Sequence, residues 1–213
     1  MAEERIAERI DANLLDTTID DLHALPKDLY DSKILKVKNK TNGQLIIKEY
    51  PTASAHSGHF RALFNELALK KSFRPDVVFV DYLNICASAR FKGGNISSYF
   101  YIKAIAEELR GLAVEFNVPI FSATQTTRTG FVSTDIGLED TSESFGLPAT
   151  ADFMFALMSN EELEQLGQMK VKQLKNRYND PAINRSFIVG VDRAKMRLYD
   201  VENVAQNIVD KGT

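Results

Sequence analysis

Val77-Val78-Phe79-Val80-Asp81-Tyr82 is an unbroken apolar run closed by an acid. Such a run suits a central parallel strand buried on both faces. The acid then lies at the carboxyl edge of the sheet, where α/β domains gather their ligands. A carboxylate there can hold the water shell of a Mg2+ bound to nucleotide phosphates. An acid in that position can equally do no more than cap the following turn.

Helical patterns flank this strand. Residues 56–73 carry Phe60, Leu63, Phe64, Leu67 and Leu69 on one side, and residues 97–117 carry Ile102, Ile105, Leu109, Leu112 and Phe116. Both sets recur at helical spacing. The next strand, 118–123, ends in Thr124-Gln125. A Thr/Ser/Gly-rich loop follows over 126–137, then a short helix near Ser142, a strand over 152–158 and an acidic helix over 160–165. Segments 168–176, 186–191 and 195–201 read as a terminal antiparallel meander. Upstream, residues 2–15 predict a helix, and residues 19–30 a second one interrupted at Pro26. Residues 45–50, Leu-Ile-Ile-Lys-Glu-Tyr, predict a strand ended by Pro51. Strands alternating with helices argue for an α/β domain on a mostly parallel sheet. The sequence holds no internal repeat or low-complexity segment.

Composition narrows the classes. The 213 residues are 44% hydrophobic and 26% charged, ordinary for one globular domain. A net charge of −3 argues against wholesale polyanion binding and leaves room for a local basic patch. A single cysteine, Cys86, excludes an internal disulfide framework and fits a reducing compartment. No apolar run approaches the roughly 20 residues of a membrane span. The N-terminus is charged from its third residue, unlike a secretory signal. The expected location is the cytoplasm, with no membrane partner.

Several further residues are candidates for chemistry. Gln125, at a strand end, can touch both a terminal phosphate and the loop beyond it; a solvent-facing amide is the plainer alternative. Lys175-Asn176-Arg177 puts two cations on one side of a late strand, because strand side chains alternate. Such a pair can reach the γ-phosphate on a neighbouring subunit, or be a solvated basic strand end. Thr127, Arg128, Thr129 and Gly130 suit phosphate contacts to a nucleic-acid strand, though an ordinary loop has the same composition. Ser142, Glu143 and Ser144 follow at an expected helix start. His23, His56 and His59 match no metal-ligand spacing and are read as surface residues. Cys86 is read as packing, and Asp152, before an apolar strand, as structural.

Taken together, five segments resemble the DnaB-like replicative helicases of tailed phages. They are residues 77–83, residues 104–110 (Ala-Ile-Ala-Glu-Glu-Leu-Arg), Ser122-Ala123-Thr124-Gln125, residues 143–152 and Lys175-Asn176-Arg177. They stand in the family's order, and the resemblance covers the chain from Met1 almost to the end. The resemblance implies an α/β, RecA-like P-loop NTPase core with a C-terminal antiparallel extension, working as a homo-hexameric ring. It makes Asp81 the acid for Mg2+ and Gln125 the phosphate sensor. Lys175 and Arg177 become groups acting on the neighbour's ATP. The loop with Thr127, Arg128, Thr129 and Gly130, together with Glu143, Ser144 and Gly146, becomes the grip on single-stranded DNA. It implies primase and helicase-loader partners, and ATP hydrolysis coupled to unwinding.

The family's glycine-rich loop ending Gly-Lys-Ser/Thr does not occur in the 213 residues. Residues 1–213 are therefore expected to be a partial RecA-like motor domain without its first strand and helix. An exposed apolar edge is expected on the sheet. The competing expectation is a RecA-like module without ATPase activity that binds single-stranded DNA or a helicase ring.

Overall fold

The computed structural model describes residues 1–91, 96–126, 136–140, 146–180, 183 and 185–202. The chain divides into two compact units. One comprises residues 1–49, 157–171 and 186–213, the other residues 50–156 and 172–185.

The second unit holds the central pattern. Helices α4 (Ser57–Lys71) and α5 (Ser98–Phe116) accompany strands β1 (Val78–Val80) and β2 (Ile120–Ser122). The two strands pair in parallel, Val78 with Ile120 and Val80 with Ser122. The expected start of α4 is made by histidines. His56 Nδ1 accepts the Gly58 N–H at 3.0 Å, and His59 Nδ1 accepts the His56 N–H at 3.3 Å. Both acceptors require a neutral ring nitrogen. Helix α5 ends at Asn117 in the left-handed region, φ 51°, a stop that asparagine tolerates better than most residues.

The core of this unit is the inner face of α5. Ile102, Ile105, Ala106, Leu109 and Leu112 pack with Leu83, Cys86 and Leu147, and Val80 and Ile120 join from the strands. Ile105 and Leu112 are the largest side chains with essentially no exposure. Ile105→Val removes one methylene from this centre and is expected to cost about 1 kcal/mol. Equilibrium denaturation of the chain measures it, with an unchanged midpoint counting against a close-packed core. Burial alone pushes the Cys86 thiol up to about 11, so it packs as an inert apolar group.

In the first unit, α1 (Glu3–Leu14), α2 (Ile19–Ala24) and α3 (Lys27–Lys40) precede the C-terminal segments. Pro26 separates α2 from α3, since its ring and missing N–H are tolerated just ahead of a first helical turn. Thr18 caps α2 by accepting the Asp21 N–H at 3.0 Å. Helix α1 is tied to the turn before the last strand. Asp16 accepts from Lys195 at 3.1 Å and Arg197 at 2.9 Å, and Asn13 donates to the Met196 carbonyl at 2.7 Å.

A second sheet runs in the order β3 (Phe153–Met158), β4 (Gln168–Asn176), β5 (Ser186–Asp192) and β6 (Arg197–Asp200). Strands β5 and β6 are antiparallel, with Val189 opposite Asp200. Short helices α6 (Gly146–Thr150) and α7 (Glu161–Gln165) bracket β3. A parallel sheet and an antiparallel C-terminal extension are both present, as expected.

Two expectations are corrected. Residues 45–50 form no strand, because a strand needs a ladder partner and none meets them among the described residues; the Glu49 N–H is instead satisfied by the Glu3 carboxylate at 2.9 Å. Strand β1 is not buried on both faces. Phe79 is 74% exposed and Phe121 48%, their rings stacked with centroids 5.3 Å apart. Periodicity shows that a strand is apolar on both faces; it does not supply the element that covers the second face.

Candidate functional site

Asp81 and Gln125 stand at the carboxyl ends of adjacent parallel strands. The ladder continues past the paired residues, with the Leu83 N–H donating to the Ala123 carbonyl at 3.2 Å, and at its last pair Ser122 Oγ donates to the Val80 carbonyl at 2.8 Å. Gln125 Nε2 donates to Tyr82 Oη at 3.4 Å, a long bond beside Asp81. The Asp81 carboxylate is exposed and takes part in no ion pair among the described residues. It is therefore available to an incoming cation.

Among the described residues no three His, Cys, Asp or Glu side chains gather to hold a metal ion. That fits one kind of metal site and not another. A lone strand-end carboxylate cannot cage a cation. It does suit Mg2+, which keeps several waters and binds through one or two carboxylates plus substrate phosphates.

Behind Asp81, the segment leading to Arg90 is held by Glu108 of α5. Its carboxylate accepts Ser57 Oγ at 2.8 Å, Ser88 Oγ at 2.6 Å, the Ala89 N–H at 2.9 Å and the Arg90 N–H at 3.3 Å. Burial raises the carboxyl's proton affinity, but the four donors together outweigh it and hold Glu108 below the usual glutamate range. Sequence reading missed this residue. The available signal was its place among Ile105, Leu109 and Leu112 on the inward side of α5.

Lys175 and Arg177 lie at the end of β4 and gather at the carboxyl end of α6. Lys175 Nζ donates to the Pro148 carbonyl at 2.5 Å, and Arg177 Nη2 to the Ala149 carbonyl at 3.3 Å. Arg177 Nη1 is 2.9 Å from Asp152 Oδ1, while Arg110 Nη1 donates to Asp152 Oδ2 at 2.6 Å. Burial first, then the neighbouring Arg177 charge, holds Lys175 below the usual lysine range. Asp152 raises the proton affinity of Arg110. Neither Arg110 nor Asp152 was singled out for a role by the sequence. Nor was Lys172, 8% exposed on β4, whose Nζ donates to the Ile136 carbonyl at 2.8 Å, near the end of the Thr/Ser/Gly-rich stretch.

The four candidates thus fall into two groups. Asp81 and Gln125 share one sheet edge, whereas Lys175 and Arg177 spend their hydrogen bonds on α6 and Asp152. Gly146 is buried, and a side chain there would meet Lys103 at 3.2 Å, so its evident work is close packing of α6 on α5. Thr127, Arg128, Thr129, Gly130, Glu143 and Ser144 lie outside the described residues. No helix of the described residues is long and apolar enough to cross a membrane.

Comparison with known proteins gives a consistent result. No protein-family model matches the chain. It is 44% identical over 205 residues to a DnaB-like replicative helicase of Enterobacteria phage T4, covering 95% of this chain and 43% of that protein. The chain therefore spans less than half the length of the curated relative it matches. Two solved structures share its fold at 17% identity. One is a DnaB-like replicative helicase described with its primase interactions, with a TM-score of 0.73 over 95% of this chain and 50% of that one. The other is a separately solved ATPase domain, with a TM-score of 0.74 over 95% of this chain and 72% of that one. The ATPase-domain fold and the 44% identity agree: over 95% of its length this chain is similar to part of a DnaB-like replicative helicase of phage T4, and it shares the fold of a DnaB-like helicase and of a separately solved ATPase domain.

Proposed function

We propose that this chain is a segment of a ring helicase that couples ATP hydrolysis to movement along single-stranded DNA and to duplex unwinding. The observation carrying this reading is the separation of its groups. One sheet edge presents an unpaired carboxylate beside an amide, and a distinct cluster presents two cations. A nucleotide held between subunits needs both: a Mg2+-side acid from one subunit and γ-phosphate cations from the next.

Asp81 then holds Mg2+ through water, and the ion supplies charge neutralisation at the phosphates. Gln125 senses the terminal phosphate and passes its loss to the loop that begins one residue later. Lys175 and Arg177 reach the neighbour's γ-phosphate. Thr127, Arg128, Thr129 and Gly130, with Glu143 and Ser144, grip the DNA strand, seated by the packing of Gly146. The phosphate loop itself comes from outside these 213 residues, which contain no Gly-Lys-Ser/Thr. Residues 1–213 act as part of a motor domain, in a homo-hexamer with primase and loader partners, in the cytoplasm of the host cell.

The test supplies the missing loop. The chain is combined with the part of the phage T4 relative that lies outside the matched stretch, fused or added in trans, and DNA-stimulated ATPase and unwinding are assayed. Activity only in the supplemented motor supports the reading, whereas DNA binding by the chain with no ATPase under any supplementation supports a module that merely binds. In the supplemented motor, Asp81→Ala is expected to weaken Mg2+-dependent ATP binding by about tenfold or more. Equal wild-type ATP affinity with and without Mg2+ would remove the role of Asp81.

A further inference from the structure

We infer that Asp152 is a positioning residue for Arg177, fixed in turn by Arg110. The inference rests on the reading of Arg177 as the group that meets the neighbour's γ-phosphate, and it adds two residues to which no role has been assigned.

Three elements converge on this carboxylate. Asp152 sits between α6 and β3, Arg110 on α5, and Arg177 at the end of β4. The backbone is aligned first, with the Arg177 N–H donating to the Asp152 carbonyl at 2.9 Å. The side chains follow in unequal fashion. Arg110 Nη1 donates to Asp152 Oδ2 at 2.6 Å and to the Thr150 carbonyl at 2.8 Å, so Arg110 clamps the segment from Thr150 to Asp152. Arg177 Nη1 lies 2.9 Å from Oδ1, yet Oδ1 is buried and accepts no aligned hydrogen bond. One guanidinium is therefore bound firmly, and the other is held by charge at a poorer angle.

That inequality suits a positioning role. A guanidinium carries five N–H donors in a rigid fork. Arg177 turns one nitrogen to Asp152 and another to the Ala149 carbonyl, which leaves donors for a phosphate. Its long side chain is thereby confined before the nucleotide arrives, and a looser contact lets it tilt toward the charge that develops in the transition state. Arg110, Lys175 and Arg177 together outweigh the one carboxylate, so the cluster stays cationic.

The test is single-turnover ATP hydrolysis by the supplemented motor with single-stranded DNA. Asp152→Asn keeps shape and loses charge. Turnover is expected to fall about tenfold to a hundredfold, with KM for ATP, ring assembly and melting temperature unchanged. Asp152→Glu is expected to recover part of the loss. In an Arg177→Ala background, Asp152→Asn is expected to add nothing further. Unchanged or faster turnover in Asp152→Asn overturns the proposal, and so does an equal slowing with and without Arg177. If Asp152→Asn fails to fold, Arg110→Gln leaves the carboxylate in place but unclamped. It is expected to show a smaller loss of the same kind, and normal turnover there overturns the proposal. Failure of the underlying reading looks different: Arg177→Ala alone would then keep full turnover.

Discussion

Arg177→Ala is expected to lower ATP hydrolysis by the supplemented motor about a thousandfold or more while leaving nucleotide affinity nearly intact. The split follows from where the charge lies. A cation at the γ-phosphate gains most when negative charge spreads over the transferred group, and less in the ground state. In the proposed motor, ground-state binding would rest mainly on the phosphate loop and Mg2+. Loss of ATP affinity in step with turnover would make Arg177 an ordinary phosphate contact. Rings mixed from wild type and Arg177→Ala give the sharper measurement. If the group acts on its neighbour, each mutant subunit silences the adjoining site and leaves its own nucleotide competent. Activity in strict proportion to the wild-type subunits present, with each inactive site lying in the mutant subunit itself, would put Arg177 in cis.

The second large effect is expected at Glu108. Glu108→Ala strands two hydroxyls and two backbone N–H groups that now share one half-buried carboxylate. The expected cost is about 3 kcal/mol, set by orphaned donors rather than by lost packing. Chemical denaturation of the chain measures it. Glu108→Gln keeps an acceptor and is expected to recover part. The carboxyl's folded proton affinity is lowered, so its stabilisation is complete above the unfolded value and is lost as pH falls through the lower folded one. The Gln variant therefore flattens the acid limb of the stability curve, from about pH 4 downward. An acid limb of unchanged steepness would mean that the network carries little of the fold's stability. Because Glu108 anchors the segment that follows Asp81, Glu108→Ala is also expected to disturb Mg2+-dependent binding.

The fold was legible where chemistry is local. Pro26 marks the break between α2 and α3, and the 3.6-residue rhythm of Ile102, Ile105, Leu109 and Leu112 gives α5. Asp81 and Gln125 were legible because each ends an apolar strand, and β1 and β2 do pair in parallel. Residues 45–50 misled because β-branched residues show fitness for a sheet without naming a partner strand. The two-sided burial expected of Phe79 failed for a related reason. Glu108, Lys172 and Asp152 escaped notice because their partners lie 18 to 51, 36, and 25 to 42 positions away respectively. Contacts at that separation leave no period in a sequence. Asp152 had the plainest cue, an acid at the mouth of an apolar strand, and that cue was assigned to structure alone.

The stacked pair Phe79 and Phe121 has a practical consequence for handling the chain. Attraction between bare aromatic faces in water strengthens on warming and fades toward freezing. Solutions of the chain that stay clear on ice are expected to turn cloudy at the bench. The useful additive is then an amphiphile that coats the rings, since salt would drive them together.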